Sequence, residues 1–176
     1  MSSKIKPILI GVKIVVFLVA CIFGYMFYQN YSENQKKQAE LKKLKKIYND
    51  SKWDEALEGF KGYAKKYPKK KHIVRHKISN SLQKIANDKS IKAIAIPIQE
   101  TAKKQAANKE VITLLMEAKE YDKLNEMSMI ILCDAYIECN EIGKAQRVIK
   151  EDKSRNKNST RFSVQETRIK QILKKK

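Results

Sequence analysis

Residues 53–68 read WDEALEGFKGYAKKYP, and this stretch decides the fold class. Trp53, Ala56, Leu57, Phe60 and Ala64 recur at helical intervals and share one face of an α-helix. Pro68 has no amide hydrogen to donate to a further turn, so it closes that helix. Just upstream, ELKKLKKIY (40–48) places Leu41, Leu44, Ile47 and Tyr48 at the same period, and NDSK (49–52) joins the two. Two amphipathic helices with so short a connection fold back on each other, apolar face to apolar face. Ala56 is small where the two backbones must approach closely.

Helical periodicity continues from about residue 36 to the end, with turn-like breaks expected at 49–51, 68–71, 87–90, 140 and 156–159. Five Gly and three Pro in 176 residues leave little turn chemistry for a sandwich or barrel of many strands. Three Cys exclude a disulfide framework. The expected class is all-α, in a chain long enough for one modest domain.

The hairpin resembles a tetratricopeptide (TPR) repeat, whose second helix carries an aromatic, a small residue, another aromatic and a terminal Pro. Trp53, Ala56, Phe60 and Pro68 stand at those places in order; Tyr63 and Leu44 depart from the small residues the pattern prefers. MIILCDAYIECNEIGKAQRVI (129–149) is similar, with Leu132, the small Cys133, Tyr136, the turn residue Asn140 and Ala145 in register. Between them Ile78, Leu82, Ile85, Ile91, Ile94 and Ile98 follow the same spacing with bulky residues in the small slots, and Pro97 is expected to kink the second helix of that unit. The interval before 129 leaves room for one extra helix at about 110–124, and a last helix at about 163–174 suits a solvating cap. The resemblance implies a short TPR-like α-solenoid over residues 36–155, followed by a basic capping helix and tail over 156–176.

The N-terminus is of another kind. Residues 7–28, PILIGVKIVVFLVACIFGYMFY, carry a single charge, Lys13. As a helix this run spans roughly 33 Å, the thickness of a bilayer's hydrocarbon core. Lys13 is close enough to one end to reach the headgroups, and Tyr25 and Tyr28 fall at the other. The expected organisation is a short basic tail (1–6), a transmembrane signal anchor (7–28), a linker (29–35) and the helical array. Leu18-Val19-Ala20-Cys21 also matches a lipobox, so a lipoprotein cleaved before Cys21 is an alternative; seven further apolar residues after Cys21 speak against it. Lys4, Lys6 and the free amine place the array outside the cytoplasm, whereas the lysines of 36–46 pull the other way.

Lys and Arg number 38 against 19 acidic residues, a net charge of +19, and only five of the cations are Arg. The excess is segmental: +7 over 29–72, +5 over 73–105, −4 over 106–152 and +8 over 153–176. Phosphate and base readers favour Arg forks and interleaved aromatics, so Lys-rich flanks make nucleic acid a poor partner. A basic surface gripping anionic lipid or nucleic acid is the rival reading, and self-association of the array a third.

Nothing in the chain reads as catalytic. His72 and His76 share a helix face, but Ile73 follows where a zinc protease needs Glu. No phosphate loop or nucleophile motif is present, and neither a metal nor a cofactor is expected. The resemblance implies instead a concave groove lined by the first helix of each repeat. In this chain it would present Leu41, Lys45, Tyr48 and Asn49, then His76, Ser79, Gln83 and Asn87, then Ile130, Asp134 and Glu138. Proteins of this layout look like bacterial membrane-anchored adaptors of the cytoplasmic membrane, some beside export or envelope-assembly factors. The expected function is a tethered scaffold that docks a protein or peptide partner.

Overall fold

The computed structural model describes the backbone of residues 5–157 and 159–174, with side chains from Val16 onward in that range. The described residues are all-α: seven helices, two short 3-10 turns and no strand. By compactness the chain divides into two units, Met1–Lys46 and Ile47–Lys176.

The described residues of the first unit all belong to α1 (Ile5–Asn49), a helix unbroken through residues 29–35, where a linker was expected. Phe17, Phe23 and Phe27 are 69, 68 and 76% exposed, part of a continuous apolar surface over residues 16–28. Farther along, Gln29 and Gln35 donate to the Tyr25 and Tyr31 hydroxyls, and the surface turns polar. Side chains 7–15 of the expected span lie outside the described residues. Among the described residues no helix is long and apolar enough to cross a membrane.

The second unit begins with the last turn of α1 and continues through α2 (Trp53–Lys66), α3 (Lys71–Ile94), α4 (Thr101–Tyr121), α5 (Glu126–Glu138), α6 (Ile142–Arg155) and α7 (Ser163–Lys174). In α2, Asp54 and Glu55 open the helix and Lys65 and Lys66 close it, each sign matched to the helix dipole. Its apolar face buries Ala56, Leu57, Phe60 and Tyr63. Tyr63 fills the space a small residue would leave and packs edge-on against Tyr67 at 4.8 Å.

Two hairpins close by one device. Ser51 (φ 60°) and Asn140 (φ 58°) are left-handed. The Ser51 amide donates to Tyr48 and that of Lys52 to Ile47; the Asn140 amide donates to Ile137 and that of Glu141 to Tyr136. Each is a Schellman turn, which satisfies the last helical carbonyls and reverses the chain in a few residues. Across the second, the Cys133 thiol donates to the Ala145 carbonyl (3.7 Å), so these two small residues bring α5 and α6 close together.

The middle of the chain corrects the sequence reading. Expected breaks at 87–90 are absent, because α3 runs straight through them. Pro97 kinks no helix: α3 ends at Ile94 and Pro97 opens the 3-10 turn Ile98–Glu100. The extra helix expected at 110–124 is the second half of α4, which partners α3 along its length. Ile78, Leu82 and Ile85 are buried as expected, but Ile91, Ile94 and Ile98 are 60, 77 and 81% exposed.

Consecutive helices pack on each other from α2 to α6, and α3 also touches α5, as α5 touches α7. The main core joins α3 to α7 through residues such as Ala86, Leu115, Leu132, Tyr136 and Phe162. The acidic middle is the internal counter-charge of the basic flanks. Lys61 reaches Glu117 (2.8 Å), Arg161 spans Asp152 (2.9 Å) and Glu126 (2.7 Å), and Lys104 meets Glu138 (2.9 Å). A face of free carboxylates waiting for a basic partner is therefore not what these residues form.

Candidate functional site

Where α3 passes α5 the surface is concave. One cavity, about 360 Å³, has Tyr48 at its rim, Asn80, Gln83, Lys84 and Asn87 from α3, and Asn125, Met127, Ser128 and Ile131 from the start of α5. A second, about 230 Å³, continues with Ser90 and Ile94 of α3, Lys104 and Asn108 of α4, Asp134 and Glu138 of α5, and Arg168 of α7. Ile131 lines both, so the two cavities adjoin at that residue along the α3/α5 groove.

The two ends differ in chemistry. At the first, Gln83 is buried and fully used: its amide donates to Ser79 Oγ (3.0 Å), and its carbonyl accepts the Asn125 amide (2.9 Å). Asn125 caps α5 by accepting from the Ser128 amide at 2.8 Å. This chain of bonds fixes the start of α5 against α3. Tyr48 stacks edge-on against Trp53 (5.0 Å) and Phe60 (6.2 Å), with the Lys77 ammonium 4.1 Å above its ring. Asn87 and Met127 remain to meet a ligand, as does the part of the Asn80 amide that its bond to His76 (2.9 Å) leaves over.

At the other end the charges are paired across three helices. Arg168 binds Asp134 (2.9 Å) and Glu138 (2.6 Å), and Lys104 binds Glu138 (2.9 Å). Burial pushes the Asp134 carboxyl up, beyond what its bonds from Gln165 and Arg168 offset. Burial also raises Glu138, but hydrogen bonds from Lys104 and Arg168 outweigh it and hold that carboxyl below its usual range. This end is a neutral, braced wall rather than an acidic receptor.

Of the residues expected to line a groove, Tyr48, Gln83 and Asn87 meet in the first cavity, and Asp134 and Glu138 in the second. Ser79 is wholly buried beneath, as the acceptor for Gln83. Ile130 and Ile131 both pack on the core, and of the two it is Ile131 that lines the cavities. His76 is turned to Asp122 (2.6 Å) and Asn80 (2.9 Å) at the surface. Asn49 is exposed at the α1–α2 turn. Leu41 and Lys45 belong to the first unit, the former buried and the latter exposed. Sequence reasoning missed Asn125 and Ser128, although Asn three residues before Ser, followed by MIIL, is a readable N-cap. Lys104 and Arg168 left no such trace, since they reach the groove from helices distant in sequence.

Among the described residues no three His, Cys, Asp or Glu side chains gather as a metal site. Burial drives the Cys133 thiol up to about 12, which makes it inert packing. Compared with known proteins, the chain matches no family model, no curated protein and no solved structure.

Proposed function

We propose that this protein is a membrane-anchored, TPR-like adaptor that docks an extended protein segment in the α3/α5 groove. The observation that carries the reading is the meeting of two cavities at Ile131. Side-chain amides at Asn80 and Asn87 are suited to a peptide backbone, and Met127, Ile131 and Ile94 to its alternate side chains. A solenoid-like stack is supported by α3–α5 and α5–α7 contacts beside the sequential ones, and by the shared turn of the first and last hairpins. The anchor rests on the apolar run 7–28 and the exposed aromatics of its described half. In this reading the anchor is uncleaved, the membrane is a bacterial cytoplasmic one, and the array faces away from the cytoplasm. No catalytic step and no cofactor enter it.

The test uses full-length protein solubilised from its membrane and assayed for co-purifying partners. Met127→Asp, an exposed groove position, abolishes recovery while the helical spectrum and unfolding midpoint hold. Lys65→Asp, on the exposed side of α2, leaves recovery unchanged. Equal recovery from both variants discards the groove. Gln83 is unsuitable as a probe because its loss also unfastens α5.

A further inference from the structure

The α3–α4 connection ends in an apolar apex that the core leaves uncovered and of which the groove borders only Ile94. Ile91 and Ile94 occupy the last turns of α3, and Ile98 opens the 3-10 turn. They are 60, 77 and 81% exposed, and Ala95 and Pro97 between them are exposed as well. The apex is held rigid from behind. The Ala95 amide donates to Ile91, that of Ile96 to Ala93 and that of Glu100 to Pro97, while α3 and α4 pack along their whole length. Lysines ring it: Lys89 and Lys103 are tied to Glu110 and Glu100, while Lys92 has no carboxylate partner among the described residues. Over residues 84–104 there are five Lys against Asp88 and Glu100.

We propose that this apex, through Ile91, Ile94 and Ile98, inserts into the interface of an anionic bilayer, with Lys92 at the headgroups. Branched aliphatic side chains on a convex tip, collared by cations, match a surface that is anionic outside and apolar a few ångströms within. A second copy is the poorer occupant, since tip-to-tip contact would oppose like charges. The site shares Ile94 with the end of the groove, while Ile91 and Ile98 lie outside both cavities, and it gives the hairpin a membrane contact apart from the N-terminal segment.

The experiment uses full-length protein in vesicles of phosphatidylcholine, alone or mixed with phosphatidylglycerol. An environment-sensitive fluorophore is placed at Ile94→Cys in a Cys21→Ser/Cys139→Ser background; Cys133 is buried and does not compete for label. In the mixed vesicles the emission shifts to the blue, acyl-chain-brominated lipid quenches most of it, and added salt reverses the effect. The same label at Asn156→Cys, exposed at the end of α6, stays unshifted. Adding Ile91→Ser and Ile98→Ser cuts the quenching severalfold without changing the helical spectrum. A label on native Cys21 reports the N-terminal segment separately. Quenching at 21 with none at 94 refutes the apex and spares the anchor; quenching at 94 with none at 21 does the reverse. Equal quenching at 94 in phosphatidylcholine alone overturns the anionic preference.

Discussion

The hairpins α1–α2 and α5–α6 close through the same Schellman turn, with Ser51 and Asn140 in the left-handed region. The hairpin α3–α4 closes through a longer connection that exposes three isoleucines. Helices α2, α5 and α6 spend most of their large apolar residues on the core. The α3–α4 hairpin buries Val74, Ile78 and Leu82 in its lower half and leaves its apex uncovered. Equal hydrophobicity in sequence therefore serves two ends, and helix length decides which: α3 and α4 run past the core they share with their neighbours.

Truncation should separate these uses by the largest margin. Leu132→Ala in α5, 2% exposed, costs about 3 kcal/mol in urea unfolding. Ile94→Ser at the apex shifts stability by less than about 0.5 kcal/mol. Comparable losses at both sites would erase the distinction. Gln83→Ala follows, at roughly 1–3 kcal/mol, because it removes a buried side chain, takes the acceptor from the Asn125 amide and loosens the seam between the hairpins.

The shared turn is tested by glycine. Ser51→Gly stabilises by roughly 1 kcal/mol, as Ser pays the left-handed cost in full. Asn140→Gly gains less, since Asn tolerates that conformation. Thermal midpoints of the two variants give the order directly, and a larger gain at 140 would contradict it.

The last effect is electrostatic. Glu138 is held below its ordinary pKa, so its ion pairs with Lys104 and Arg168 contribute stability above the usual carboxylate range and lose it as pH falls. Glu138→Gln should cost about 1 kcal/mol at neutral pH and flatten the acid limb of the stability profile. Asp134, raised by burial, acts in the opposite sense and blunts the acid loss in the parent chain. An acid limb unchanged in Glu138→Gln would remove the role given to that pair.

What was legible in the sequence was whatever is local. The all-α class, the α2 face, the Asn140 turn and the bounds of α7 all follow from periodicity, caps and breakers within a few residues of one another. The α3–α4 hairpin was misread because its isoleucines keep helical spacing beyond the point where any neighbour covers them, and spacing alone carries no record of burial. In the groove, Tyr48, Gln83 and Asn87 were legible as a stripe on successive helices. Arg168 and Lys104 were not, because their bonds to Glu138 span 30 and 34 residues and rest on tertiary packing.

The most direct measurement is a photo-crosslinking scan of the full-length protein in intact cells, with a photoreactive amino acid placed one position at a time. Asn87, Met127 and Ile131 in the groove should each give the same discrete adduct, and exposed positions on the opposite side, Lys65 and Lys150, should give none. A uniform pattern across all five, or adducts confined to Lys65 and Lys150, would contradict the assignment of the α3/α5 groove as the docking site.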